Sequence, residues 1–93
     1  MIASVRMEQR TYRVIIEPDG RRFHAFVPAL PGCHTHGRTI TEAKRHIQEA
    51  MGLYLEALAG RGEKLPSDDG FEIFQTVTVP SPRSARKKAR HYA

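Results

Sequence analysis

Three stretches of the chain alternate apolar and polar residues with a period of two, the pattern of β-strands that bury one face. They are residues 11–17, 22–28 and 32–38. The apolar face of the first two carries Tyr12, Val14, Ile16, Phe23, Ala25 and Val27. Pro18-Asp19-Gly20 predicts a turn between the first two strands, so they form a hairpin. Pro28 and Pro31 end the second strand, and the short third strand returns beside it.

A long helix is predicted after these strands. Thr39 and Glu42 stand three apart as a capping box, and apolar residues then recur every three or four positions. That stripe consists of Ile40, Ala43, Ile47, Ala50, Met51, Tyr54, Leu55 and Leu58. Gly60 and Gly62 are expected to stop the helix after some twenty residues. Gly52 lies inside it at a cost of about 1 kcal/mol relative to alanine, which close approach to a strand or a partner would justify.

Residues 71–79 alternate again after a loop over residues 61–70, and they predict a fourth strand. Because the helix intervenes, this strand returns parallel to an earlier one through a right-handed crossover, most simply beside the first. The predicted class is therefore α+β, with a three-stranded antiparallel meander, one long helix and a fourth strand next to the first. Ile73 and Val77 are expected to pack on the helix.

One helix covers only one face of a four-stranded sheet, so the other face stays open. Ile15, Phe26 and Phe74 are predicted to share that open face. Such contiguous apolar patches tend to be interfaces, which favours a protein partner or a self-dimer. The alternative is that the 61–70 loop or the C-terminal tail folds back over them.

Length and composition allow one domain, because 93 residues bury only a modest core. We assign residues 1–10 to an N-terminal extension, 11–80 to the α+β domain and 81–93 to a tail. The longest apolar run, residues 25–30, has six residues, too few to span a membrane. The single cysteine, Cys33, and the lack of an apolar leader favour a cytoplasmic protein.

The net charge of +5 comes entirely from the tail. Residues 1–80 hold ten acidic residues and ten Lys or Arg residues, which cancel. The tail has no acidic residue, and its basic residues are Arg83, Arg86, Lys87, Lys88 and Arg90. This pattern is typical of a disordered, solvated end or of a short segment that contacts nucleic acid.

Enzymatic chemistry has little support in the sequence. Cys33, His34 and His36 are close in sequence, but on a strand the thiol points away from the two imidazoles, and their spacing does not match a closed zinc site. The acidic residues lie mostly in turn sequences, and no nucleophile motif is present. We therefore expect no enzyme, metal or cofactor, and a hydrolase built on His34 and His36 is the weakest alternative.

Three segments together resemble the HicB antitoxin family. They are the first strand with its turn, the stretch Pro28-Ala29-Leu30-Pro31-Gly32-Cys33-His34-Thr35-His36-Gly37, and Thr39-Ile40-Thr41-Glu42-Ala43. The motif residues are Pro28, Leu30, Pro31, Gly32, Cys33, Thr35, Gly37, Thr39, Glu42 and Ala43. They are mostly residues that shape the fold, and they do not locate a partner surface.

The resemblance implies a partial ribonuclease H fold without that enzyme's catalytic carboxylates. It also implies a binding protein that occludes a small HicA-type toxin, an mRNA-cleaving ribonuclease, and that assembles as a dimer or tetramer. Many members carry a DNA-binding domain, but the residues after Val79 are too few for one, so operator recognition is not expected here. A small nucleic-acid-binding or regulatory protein that uses the basic tail is the alternative function.

Overall fold

A computed structural model describes residues 7–82, which contain three strands and one helix. Their order is β1 (Ile15–Asp19), β2 (Arg22–Phe26), β3 (His34–Gly37) and α1 (Ile40–Gly60). The sheet order is β1-β2-β3, and both neighbouring pairs are antiparallel. The predicted meander followed by one long helix is therefore confirmed.

The hairpin between β1 and β2 turns two residues later than predicted. Pro18 and Asp19 belong to β1, where they pair with Phe23 and Arg22, and the turn consists of Gly20 and Arg21. Gly20 has a φ of 65°, and no non-glycine residue of the described chain has a positive φ. This combination matches a two-residue turn with glycine first, which suits the twist of the paired strands better than a turn built on proline.

Helix α1 begins and ends as the sequence predicts. The Thr39 hydroxyl accepts a hydrogen bond from the Glu42 N–H at 3.0 Å. At the other end, the Gly62 N–H donates to the Ala59 carbonyl at 3.0 Å and the Glu63 N–H donates to the Leu58 carbonyl at 2.9 Å. These two bonds form a Schellman motif, and Gly62, with a φ of 71°, takes the left-handed position that it requires.

One expectation for the helix is wrong, and one of the two explanations offered for Gly52 does not apply. Ile40 does not join the buried stripe, since 57% of it is exposed at the first helical position. No strand approaches Gly52, because a Cβ placed there meets no atom within 4 Å in the described chain. The other explanation for Gly52, close approach to a partner, stays a prediction.

The core lies between α1 and the inner face of the sheet. Its buried residues are Tyr12, Ala25, Val27, Leu30, Cys33, Ala43 and Ile47. The partly buried residues packed against them are Val14, Ile16, Phe23, Ala29, Ala50, Met51, Tyr54 and Leu55. The helix packs mainly over β3 and then β2, and it makes the fewest contacts with β1. The inner side of β1 is consequently the least covered part of the sheet.

The predicted fourth strand is absent from the described chain. Residues 71–79 pair with no strand, and Ile73 and Val77, predicted to pack on the helix, are 77% and 69% exposed. An alternating pattern shows only that a segment has two faces, whereas a strand also needs a neighbour for its backbone hydrogen bonds. Within residues 7–82 the segment makes no such pairing. The partial ribonuclease H fold, which this strand would complete, stays a prediction.

Candidate partner-binding surface

The outer face of the sheet, opposite α1, brings together two of the three apolar residues predicted for it. Ile15 on β1 and Phe26 on β2 are register partners, so their side chains are direct cross-strand neighbours. Both are partly exposed. We call this surface, with the polar residues around the pair described below, the open face.

Phe74, the third predicted member, does not lie on the open face. It is 97% exposed in the unpaired segment 71–79. Its placement beside Ile15 and Phe26 assumed a fourth strand in this sheet. That strand is not formed within residues 7–82, so the place of Phe74 in an interface stays a prediction.

Three histidines extend the open face beyond Phe26. The His24 ring stacks on Phe26 with ring centroids 5.4 Å apart. The His34 ring lies 5.4 Å from His24, and the His36 ring lies 4.9 Å from it. Antiparallel pairing causes this grouping, because His24 is the register partner of His36, and Phe26 that of His34. The result is a continuous patch of four rings across β2 and β3.

Two carboxylates on β1 border the rings. The His36 Nε2 atom is 3.0 Å from the Asp19 Oδ2 atom, and the His24 Nδ1 atom is 4.0 Å from the Glu17 Oε1 atom. All these side chains are at least partly exposed. The open face therefore offers stacking surfaces, hydrogen-bonding rings and negative charge on one accessible surface.

In the described chain, the hollow beside these groups is wide open to solvent; it measures about 360 Å³ and is lined by His24, Phe26 and His34 together with the Pro28 to Cys33 corner. Cys33 lies in the core, and burial raises the pKa of its thiol, which keeps it neutral. Within residues 7–82, no group of three His, Cys, Asp or Glu side chains is arranged to hold a metal ion. The arrangement is suited to contact with a partner rather than to sequestering a small substrate.

The Pro28 to Cys33 motif is a tight corner that joins β2 to β3. The Leu30 N–H donates to the Val27 carbonyl, and the Cys33 N–H donates to the Leu30 carbonyl, both at 3.0 Å. Leu30 is fully buried, and the Tyr54 hydroxyl donates to the Pro31 carbonyl at 3.0 Å. Gly32 lies next to Pro31 in the same corner. The corner is thereby fastened to the helix.

The remaining motif residues lie where β3 meets the start of α1. Thr35 is on β3, and Gly37 ends that strand directly against Ala43 of the helix. A Cβ on Gly37 would lie only 2.7 Å from the Ala43 Cα atom. The Glu42 carboxylate accepts a hydrogen bond from the Arg38 N–H at 2.8 Å, and this bond is the main reason why the pKa of Glu42 is lowered. These residues position the helix over the sheet.

A loop contact that the sequence did not reveal joins residues 66–71 to the start of β1. The Arg13 N–H donates to the Asp68 Oδ2 atom at 2.7 Å, and the Arg13 Nε atom donates to the Asp68 Oδ1 atom at 3.1 Å. The Tyr12 hydroxyl donates to the Pro66 carbonyl at 2.5 Å. The Arg13 backbone hydrogen bond, first among several causes, lowers the pKa of Asp68. We call these contacts the loop clamp.

Sequence reasoning missed the grouping of the three histidines and the loop clamp. The first had a signal, because pairing the second strand antiparallel to the third brings His24 beside His36. The loop clamp had no sequence signal, since Arg13 and Asp68 are 55 positions apart and both residue types are common on protein surfaces.

The basic residues predicted to contact nucleic acid lie outside the described residues. They are Arg83, Arg86, Lys87, Lys88 and Arg90. No helix of the described chain is long and apolar enough to cross a membrane.

The fold and the open face define a small α+β protein with an exposed surface of apolar, aromatic and acidic side chains. A family described as the HicB-like antitoxin of bacterial toxin-antitoxin systems matches residues 12–80. The chain belongs to this HicB-like antitoxin family.

Relatives of similar size occur in distant organisms. A UPF0150 protein of Thermoplasma acidophilum is 46% identical over 63 residues, which cover 67% of this chain and 91% of the relative. A UPF0150 protein of Synechocystis is 43% identical over 62% of this chain and 75% of its own length. A third, from Archaeoglobus fulgidus, is 39% identical over 73% of this chain and 93% of the relative.

Proposed function

We propose that this protein is an antitoxin that binds a small HicA-type ribonuclease toxin and blocks its access to mRNA. The observation that carries the proposal is the family match over residues 12–80. The protein acts in the cytoplasm, where mRNA is the toxin's target, and it acts by covering the toxin rather than by catalysis. It also self-associates, as the exposed apolar side chains favour.

The open face is the surface that we assign to the toxin. Ile15 and Phe26 supply an apolar centre, and the histidine rings supply flat surfaces of the kind enriched at the centres of interfaces. A ribonuclease must present basic groups to the phosphates of its substrate. Glu17 and Asp19 can pair with those groups in place of RNA, which explains how binding also inhibits.

The first experiment is co-expression of the native chain with the small protein encoded next to it, followed by size-exclusion chromatography with light scattering. We expect a stoichiometric complex, rescue of growth from the neighbour's toxicity, and loss of RNA cleavage by the purified toxin. If no neighbouring protein is toxic or co-elutes, the proposed function is wrong.

A pair of variants tests the surface. Ile15→Lys combined with Phe26→Lys should weaken toxin binding about a hundredfold or more, because it places two charges in the apolar centre of the contact. The matched control is Leu53→Lys, on the outer surface of α1, where the side chain is 69% exposed. The control should bind like the wild type, and circular dichroism melts show whether both variants fold. Equal binding by the folded open-face variant would place the toxin elsewhere.

A further inference from the structure

Residues 71–79 present an unusual amount of apolar surface for a segment outside the core. The exposed fractions are 94% for Phe71, 77% for Ile73, 97% for Phe74, 69% for Val77 and 67% for Val79. Four of these five share one face of the extended segment, at odd-numbered positions. Such a pattern is typical of a strand that buries one face, yet this one has no partner strand in the described chain.

The same chain has an open strand edge that can accept such a segment. β1 is an edge strand, so its outer backbone groups have no strand neighbour in residues 7–82. Beside this edge, a groove of about 410 Å³ runs between the sheet and α1. Its apolar lining comes from Tyr12, Val14, Ile16, Ile47 and Met51. The groove lies where the helix makes the fewest contacts with the sheet.

The loop clamp determines where the segment leaves the body. Asp68 holds the Arg13 backbone, and the Arg13 Nη1 atom donates to the Phe71 carbonyl at 3.3 Å. The Arg13 guanidinium also lies against Gly70. After Phe71, no hydrogen bond of the described chain joins the segment to the sheet or the helix.

We propose that residues 71–79 of one chain form a fourth strand on the open β1 edge of a second copy, which returns the same contact. Every copy carries both the donor segment and the acceptor β1 edge, so a reciprocal exchange uses both in each copy and closes with two-fold symmetry. The apolar face of the segment enters the groove, and its polar face, with Thr76 and Thr78, stays toward the outside. This inference does not depend on toxin binding.

The first test compares two double variants of the full chain by light scattering. Ile73→Asp with Val77→Asp should raise the dimer dissociation constant about a hundredfold or more, because each charge replaces a buried aliphatic group. Thr76→Asp with Thr78→Asp adds the same charge to the other face of the same segment and should change it less than about tenfold. A dimer that survives the first change would overturn the proposal, as would a wild-type chain that is monomeric.

A second test distinguishes exchange between chains from pairing within one chain. Glu17→Cys is placed in one tagged chain, and Phe74→Cys, Thr76→Cys or Thr78→Cys in a chain with a different tag. Exchange predicts a disulfide between the two tags after mild oxidation for at least one of the three positions, while the buried Cys33 stays unreacted. If these disulfides form only when both cysteines are in the same chain, the segment covers its own β1 and the proposal is wrong.

Hydrogen exchange separates a second copy from a toxin as the occupant of the β1 edge. We expect amide protons in residues 71–79 of the isolated protein to be protected at concentrations where it is dimeric and to lose protection on dilution. Protection that arises only after a toxin binds would mean that the toxin occupies the β1 edge, which would also contradict the proposal.

Discussion

Gly37 shows how a single residue sets the distance between sheet and helix. It ends β3 directly against the backbone of Ala43, and both residues are buried. The neighbours of a Cβ at this position are backbone atoms of the first helical turn, which cannot move aside as the end of a flexible side chain can. The close packing of α1 on β3 therefore depends on the absence of a side chain here.

Replacing glycine by alanine should have opposite effects at two positions. Gly37→Ala should lower the free energy of unfolding by about 1–3 kcal/mol, because α1 must shift from the sheet. Gly52→Ala should raise it by about 0.5–1 kcal/mol, because this exposed helical position has open space around it. Urea titrations of both variants measure the difference. If Gly37→Ala leaves the free energy of unfolding unchanged, the packing of α1 on β3 does not require glycine at this position.

At the scale of elements, two carboxylates hold together parts that backbone pairing does not join. Glu42 ties the start of α1 to Arg38, and Asp68 ties the loop after α1 to Arg13 at the start of β1. In both cases a backbone N–H bonded to the carboxylate is the first cause of the lowered pKa. Folding therefore favours the ionised form of both groups, which links the stability of these two junctions to pH.

Acidification should weaken both junctions. Because the folded-state pKa values lie below the ordinary 4.5 of Glu42 and 3.8 of Asp68, their contribution is complete above those values and is lost as the pH falls through the lowered ones. Unfolding free energies measured by urea titration between pH 6 and about pH 2.5 should fall less steeply for Glu42→Gln with Asp68→Asn than for wild type.

The control for this pH experiment is Glu49→Gln. This change removes a carboxylate that lies on the exposed surface of α1 and makes no side-chain hydrogen bond within residues 7–82. The unfolding free energy of this control variant should depend on pH as steeply as that of the wild type. If the double variant and the wild type have the same pH dependence, the two carboxylates do not couple folding to protonation.

At the scale of the whole molecule, the charge is divided between a neutral body and a basic tail. The excess of +5 over the chain equals the five basic residues after position 82, which meet no acidic residue there. On the open face, the acidic Glu17 and Asp19 lie beside the exposed Arg22, so this face has no excess of basic charge to attract nucleic acid. Any contact with nucleic acid is therefore expected from the tail and not from the sheet.

This division predicts how nucleic-acid binding would behave if the alternative function holds. Binding of the full chain to duplex DNA should decrease with salt, with a log–log slope no steeper than about −4 to −5 for five basic residues. Removing residues 83–93 should abolish it while leaving toxin binding unchanged. Fluorescence anisotropy over a range of salt concentrations measures both effects. If DNA binding persists without residues 83–93, residues 1–82 bind the DNA, and the prediction that the basic tail makes the contact is wrong.

The local features of this protein could be predicted from its sequence because their causes are local. Period-two alternation places Val14 and Ile16 on the core side of the sheet, and the capping residue Thr39 defines the start of α1. The predicted position of the first turn was wrong, because the local turn preference of the sequence competed with pairing between β1 and β2. The turn expected at Pro18-Asp19-Gly20 moved to Gly20 and Arg21, because Pro18 and Asp19 gain strand partners.

The sequence by itself determined the number and order of the first three strands and the helix, as well as the family, since these depend on periodicity, caps and a short motif. Only the tertiary structure decided which side chains meet across strands. Register placed Ile15 beside Phe26 and brought three histidines next to this pair. The loop clamp fastened residues 66–71 to the start of β1, while residues 71–79 pair with no strand of the described chain. A sequence pattern specifies which faces of a segment are apolar, whereas the partner of each face depends on contacts between distant residues.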